Sequence, residues 1–277
     1  VIAGAAASAG PLAPGAWLGV VGGGQLGRMF CHAAQRLGFR TVVLDPDASG
    51  PAGSVADACI AAGYGDRDAL TQLAAACAAV TVEFENVPAD SLAQLARALP
   101  VRPGAQAVAI AQDRLREKAF IASCGVPVAP HAPLCSEADA AALSPQLFPA
   151  LVKTARLGYD GKGQIAAAGP AQALAAWQAL GGVACVVEKR LALVRELSVV
   201  VARDASGALR TYAPSQNEHR DGILAVSLQP ARVDAATAAR ACELAGRIAS
   251  ALQYEGVLCV ELFELADGTL CVNEMAP

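Results

Sequence analysis

Apolar and polar positions change their period several times along this chain, and each change marks an element. "WLGVV", residues 17–21, is an unbroken apolar run that ends in glycines, the pattern of a buried strand. "QLGRMFCHAAQRLG" follows with helical spacing and stops at Gly38, and "RTVVLD" makes a second strand ending at Asp45. "DRDALTQLAAACA" opens on an aspartate cap and predicts a helix, "AVTVEF" a strand, and "PADSLAQLARAL" a helix started by Pro88 with an acidic first turn. Strands alternating with helices over about residues 17–112 predict a doubly wound, Rossmann-like parallel sheet.

Beyond that point the rhythm is different. "DRLREKAFIASCG" predicts a helix with its charges on one face, and "VPVAPHAPL" is extended. Strands then come in adjacent pairs: "PALVKTA" with "GQIAAAG", then "ACVVEKR", "ELSVVVARD", "LRTYAPS" and "ILAVSLQPA". Turn signals at Asp160-Gly161 and Ser206-Gly207 link several of them. The helix "DAATAARACELAGRIASAL" precedes a last pair, "GVLCVELFEL" and "TLCVNEMA", joined through Asp267-Gly268. This half reads as α+β with antiparallel sheets.

Composition narrows the classes of function. The 277 residues suffice for two or three structural units, and 55% hydrophobic residues supply a large core, built from Ala, Val and Leu because aromatics are only 4%. A formal charge of −4 without a basic run argues against nucleic-acid binding as the main activity. Nine scattered cysteines with no C-x-x-C pair point to reduced thiols in a cytoplasmic protein. Mean hydropathy is positive, at +0.40, but the uncharged run 164–187 is broken by Gly169-Pro170 and Gly181-Gly182, which argues against a membrane span. Residues 1–16 lack a basic region before their apolar stretch and predict a flexible leader rather than a secretory signal.

Five stretches carry candidate chemistry. Gly22, Gly24 and Gly27 have G-x-G-x-x-G spacing between a strand and a helix, where backbone N–H groups suit a phosphate, and Asp45 stands where a ribose-binding acid would lie. "TVEFENVP" puts Glu83 and Glu85 on alternate positions at the C-terminal end of a parallel strand, the edge at which ligands gather. "LVKTARLGYDGKGQI" sets Lys153 on a strand before Gly158, Gly161 and Gly163, so that a flexible hairpin can close over polyphosphate, with Arg156 and Lys162 raising the potential. Glu188, Lys189, Arg190 and Leu191 form a hinge whose backbone can meet an adenine edge, and Glu196 can accept from ribose hydroxyls. Glu261 and Glu274 lie on paired strands with Asn273 adjacent; two neighbouring carboxylates call for a cation, and Mg²⁺ bridging nucleotide phosphates is the natural one. Each stretch also has an ordinary reading as a tight turn, an exposed hairpin or solvated surface charge.

In this order, "GGGQLGRM", "TVEFENVP", "VKTARLGYDGKGQ", "VVEKRLALVRELSVVVARD", "NEHRDGI" and "VELFELADGTLCVNEMAP" resemble the 5-(carboxyamino)imidazole ribonucleotide synthetases, the ATPase-subunit type of phosphoribosylaminoimidazole carboxylase. The resemblance runs from Gly15 to Pro277. It implies a pre-ATP-grasp domain over residues 17–123, an ATP-grasp lid over 124–199 and an ATP-grasp core over 200–277. It also implies that the first glycine loop serves a ribonucleotide instead of a dinucleotide, with Gly24, Gln25, Leu26 and Glu83 contacting aminoimidazole ribonucleotide and Tyr159 and Asp160 reaching both ligands. ATP would take Arg114, Lys153, the loop Gly158, Tyr159, Asp160, Gly161, Lys162, Gly163 and Gln164, then Glu188, Lys189, Arg190, Leu191, Glu196, His219, Asn273 and Glu274. Mg²⁺ would sit on Glu261 and Glu274, and Lys153, Asp160 and Glu274 would carry the catalysis. Bicarbonate would attack the γ-phosphate to give carboxyphosphate, whose carbonate or released CO₂ the substrate amine captures, with no covalent enzyme nucleophile. The family implies a cytoplasmic homodimer at full length. It continues past the counterpart of "NEMAP" with an Arg- and His-containing segment and a further domain, so this chain is expected to be a fragment of doubtful activity.

Three other readings stand beside it. A formate-using glycinamide ribonucleotide transformylase shares the acid-bearing strand and the terminal Asn-Glu, though "GYDGKGQ" fits it less well. An NAD(P) dehydrogenase is favoured by Gly22–Gly27 and Asp45 but leaves Lys153 and the Glu261/Glu274 pair unexplained. A non-catalytic nucleotide-binding remnant is the third.

Overall fold

Val20 and Val21 are both fully buried, yet they belong to two different apolar clusters, one on each face of the sheet they help to build. That is the signature of a sheet covered on both sides. The computed structural model describes residues 11–158, 163–220 and 222–277, and its contacts divide the chain after Ala109 into two units.

The first unit runs β1 (Trp17–Val21), α1 (Gln25–Arg36), β2 (Arg40–Asp45), β3 (Ala58–Ala61), α2 (Arg67–Ala76), β4 (Ala79–Val82) and α3 (Ala89–Leu95), with α4 (Ala105–Ala111) crossing the division. The strands are parallel in the order β3-β2-β1-β4, so the winding reverses between β1 and β4. Loops at such a reversal diverge and leave a crevice at the carboxyl ends of the strands. Helix α1 buries Gly27, Cys31 and Ala34, a stripe at helical spacing, and α2 is capped by Asp66, whose carboxylate accepts from the Asp68 and Ala69 amides. Three expectations change here. β3 and α4 are additional, and β4 ends at Val82, so Glu83 lies just past the strand instead of on it.

The second unit contains α5 (Arg114–Ser123), β5 (His131–Leu134), α6 (Glu137–Ala142), β6 (Ala150–Thr154), β7 (Gln164–Ala167), α7 (Pro170–Ala179), β8 (Cys185–Lys189), β9 (Leu193–Arg203), β10 (Leu209–Thr211), β11 (Ser215–Arg220), β12 (Ile223–Leu228), α8 (Ala235–Ala251), β13 (Gly256–Leu265) and β14 (Leu270–Ala276). Two antiparallel sheets result, one in the order β5-β8-β6-β7 and one in the order β12-β11-β9-β13-β14 with β10 on β9. Helices α6 and α7 bury Ala140, Ala173 and Ala176 against the first sheet. Helix α8 packs on β9 and β13 and buries Leu244 and Ile248, while Leu197, Val199, Leu258, Val260 and Leu262 of those strands are fully buried. Strand alternation therefore turns Glu196, Ser198 and Glu261 to the opposite face of that sheet.

The pairing differs from simple neighbour-with-neighbour hairpins. β8 pairs with β5 and β6, whereas the next strand, β9, is the centre of the other sheet. β9 runs unbroken through residues 199 and 200. The extended "VPVAPHAPL" contributes only β5, while α6, α7 and β11 are additional. The charges of α5 do not form a solvated face, because Glu117 and Lys118 are each 1% exposed. All nine cysteines are free, and among the described residues no helix is long and apolar enough to cross a membrane.

Candidate functional site

In the first unit the glycine loop is already engaged with carboxylates. Gly22 adopts φ +112°, which an L side chain resists, and the chain turns there from β1 into α1. The Gly23 amide donates to Asp45 Oδ2 at 2.7 Å and the Gly24 amide to Glu83 Oε2 at 3.1 Å. Tyr64 donates its hydroxyl to the same Asp45 oxygen at 2.6 Å, and burial, then Asp45, pushes the phenol pKa up. A pyrophosphate would have to displace two carboxylates and then lie beside them, so the arrangement disfavours the dinucleotide reading. It suits a ligand that brings hydroxyl or amino donors. A cavity of about 300 Å³ lies here, lined by Gly23, Gly24, Asp45, Tyr64, Glu83 and Phe84 among others. Gln25 and Leu26 open α1 and are solvent-exposed.

In the second unit, the four-stranded sheet places Leu151 opposite Glu188, which puts Lys153 on the same face one diagonal step away. Lys153 Nζ donates to Glu188 Oε1 at 3.1 Å, and Lys118 Nζ lies 2.6 Å from Oε2 as an ion pair, outside the alignment of a hydrogen bond. Burial would raise the Glu188 pKa, but the two lysines hold it below the usual carboxylate value. The Glu188 side chain is thus turned to the lysines, and what this segment can offer an adenine is backbone. Lys189 N and Arg190 N tether the hinge to Pro130 O and Pro149 O, and Leu191 follows between the two sheets' strands. Gly158 O accepts from Arg114 at 3.3 Å, Gly163 carries φ +73° against Thr154, and Gln164 starts β7. Tyr159, Asp160, Gly161 and Lys162 lie outside the described residues.

The six-stranded sheet supplies the acids. Glu261 and Glu274 are directly opposed across β13 and β14, while Leu262 pairs with Val272, so Asn273 is an extra residue in a β-bulge. The bulge brings Asn273 and Glu274, neighbours in sequence, to bear on Glu261 together. Burial and then the Glu274 charge raise the Glu261 pKa, opposed by His219 and the Asn273 amide. Arg114 pairs with Glu274 at 2.5 Å, and His219, on β11, has its Nδ1 2.8 Å from Glu196 Oε2. Asn273 Oδ1 is buried without a hydrogen-bond partner. Two carboxylates and an orphaned amide oxygen are hard oxygen donors and fit Mg²⁺; among the described residues no group of three or more His, Cys, Asp or Glu is arranged for a metal ion, so phosphate oxygens would complete its shell.

Two residues of this site escape a sequence reading. Glu117 Oε1 accepts from the Met275 amide at 2.7 Å, and burial pushes its pKa up to about 8; Lys118 Nζ also reaches Asn273 O at 3.2 Å. Arg114, Glu117, Lys118 and Ile121 have i, i+3, i+4, i+7 spacing, the face that is ordinarily apolar. Ile121 in that row was the available signal: a charged stripe sharing its face with a buried isoleucine is itself buried.

Family models agree with the division. The ribonucleotide synthetase preATP-grasp domain matches residues 16–112 and the ATP-grasp domain residues 119–277. The N5-carboxyaminoimidazole ribonucleotide synthase of Brucella melitensis is 43% identical over 269 residues, 96% of this chain and 74% of that protein. The Staphylococcus aureus N5-carboxyaminoimidazole synthetase complexed with ADP superposes with a TM-score of 0.90 at 36% identity, over 96% of this chain and 71% of that one. An Aspergillus clavatus N5-carboxyaminoimidazole synthase, in complex with ADP and 5-aminoimidazole ribonucleotide, gives 0.85 at 30% identity over 95% and 69%.

Proposed function

This chain belongs to the N5-carboxyaminoimidazole ribonucleotide synthases of the ATP-grasp superfamily, and from that premise we propose how its residues divide the work. The activity is ATP-dependent carboxylation of 5-aminoimidazole ribonucleotide in purine biosynthesis, a ligase reaction that forms a carbon–nitrogen bond. The observation that carries the reading is the single rung on which Glu261, Glu274 and the bulged Asn273 converge beside Arg114. A cation held there would neutralise charge on the β- and γ-phosphates.

The protein's own groups do the positioning. Arg114 and Lys153 bring positive charge to the phosphates, and Gly158 and Gly163 add backbone groups beside them. The Glu188–Leu191 segment receives adenine through its backbone, and Glu196, oriented by His219, receives the ribose. In the first unit, Glu83 with Gly24, Gln25 and Leu26 binds and orients the ribonucleotide. Bicarbonate is the carboxyl source we propose, through carboxyphosphate. The setting we propose is cytoplasmic and the assembly a homodimer; β12, with Ile223 and Leu224 exposed on an edge strand, is a surface suited to pairing.

Thermal melting tests the assignment of nucleotide. Mg-ATP at 100 times its dissociation constant adds about 2.7 kcal/mol of stability, whereas NAD is expected to add none. A melting shift with NAD and none with Mg-ATP would reverse the assignment. Glu83→Ala is expected to weaken aminoimidazole ribonucleotide binding at least tenfold, because it removes the carboxylate anchored by Gly24, and to leave Mg-ATP affinity unchanged. Calorimetry with each ligand reads both, and loss of ATP affinity alone would place Glu83 in the wrong site.

A further inference from the structure

Lys118 is the more deeply buried of the two lysines on Glu188. Its side chain is 1% exposed, against 12% for Lys153 and 5% for Glu188. Helix α5 delivers it from behind, packing on both β8 and β14, so Lys118 touches Glu188 and the Asn273 carbonyl and is screened from any ligand that Lys153 can reach. The charges of the trio do not cancel. Two ammonium groups share one carboxylate, and one positive charge is left over in a low-dielectric setting, where an uncompensated charge is costly. The surplus has an outlet only at Lys153, the member with exposed surface.

We propose that Lys118 is a positioning residue that neutralises Glu188, and thereby leaves the Lys153 charge available to the nucleotide phosphates. The proposal rests on the assignment of Lys153 to ATP made above. With Lys118 in place, Glu188 is satisfied from behind and Lys153 keeps a weak, 3.1 Å hold on it that phosphate can outcompete. Without Lys118, the whole carboxylate charge falls on Lys153, which becomes half of a neutral buried pair and loses its attraction for an anion. The Asn273 carbonyl gives Lys118 a second fixed contact, in the bulge beside the cation rung, and so holds the ammonium against Glu188 and away from the ligand.

The test is a charge-rescue cycle read as Mg-ATP affinity by calorimetry, with melting measured in parallel. Lys118→Met leaves Glu188 still paired with Lys153, so no charge is orphaned and the variant folds. It is expected to weaken Mg-ATP at least tenfold although Lys118 does not contact ligand. Adding Glu188→Gln to Lys118→Met frees Lys153 again and should bring affinity back to within about threefold of wild type; loss of packing would not be repaired by a second substitution. Lys153→Met separates this proposal from the one beneath it. If Lys153→Met binds Mg-ATP as wild type does, the nucleotide assignment itself fails. If Lys153→Met loses affinity while Lys118→Met keeps it, or if the double variant stays as weak as Lys118→Met, the neutralising role is overturned.

Discussion

Glu274→Gln is expected to lower carboxylation by on the order of 10²–10³-fold, the cost of removing one preorganised charge from a phosphate-transfer site. The substitution is nearly isosteric. It keeps an acceptor for Arg114, which pairs with Glu274 at 2.5 Å, and it leaves the strand pairing of β13 and β14 untouched. What it removes is one of the two charges facing each other on the rung, and with it half of the anionic share that the protein brings to the cation site proposed above. The Mg²⁺ dependence of nucleotide binding should flatten, and Glu261→Gln should flatten it in the same way. Turnover and Mg²⁺ titrations at fixed ATP read the two effects. Wild-type Mg²⁺ dependence in both variants would mean that the cation is held elsewhere.

The second large effect is expected at Gly24→Ala, a change of one methyl group. The backbone there, φ −77° and ψ −161°, is open to any L residue, so strain is not the issue. The obstacle is the Glu83 carboxylate, which occupies the space the methyl group would take. Because the displaced atoms are the far end of a flexible side chain, the fold should absorb the change with a melting point close to that of wild type. The carboxylate, however, can no longer accept from the Gly24 amide, and aminoimidazole ribonucleotide affinity should fall at least as far as in Glu83→Ala. Mg-ATP affinity should not change. Calorimetry with the ribonucleotide decides it: undiminished affinity would show that the Gly24–Glu83 contact is not part of the substrate site.

What the sequence makes legible follows from where apolar periodicity survives. Glu261 and Glu274 stand out because each interrupts a strongly apolar strand and Asp267-Gly268 folds those strands together; the register sets them face to face. The Lys153 strand is readable for the same reason. β11, "SQNEHR", has no apolar residue to betray it, and it exists because β9 and β12 pair with it on either side, which is why no strand is predicted around His219. β3 is a four-residue edge strand too short to show a period. α5 shows the opposite failure: its pattern is helical and clear, but polarity there does not mean solvent. Glu117 and Lys118 are buried because the carboxylate, backbone carbonyl and amide they need are supplied from β8 and β14, a tertiary fact that no local window contains.

The bulge at Asn273 also settles a question of parity. A regular strand deals its residues alternately to two faces, so adjacent residues cannot both serve one ligand. Here the odd residue breaks the alternation once, between Val272 over the core and Glu274 opposite Glu261, and Met275 is back in the core at 4% exposure. Remove Asn273 altogether, and Val272, Glu274 and Met275 become consecutive members of an ordinary ladder with every side chain still on its own face. Within this bulge a deletion is the gentler operation on the architecture: it subtracts a ligand oxygen without shifting the frame, whereas a deletion elsewhere in the strand would send the residues on one side of it to the wrong face of the sheet.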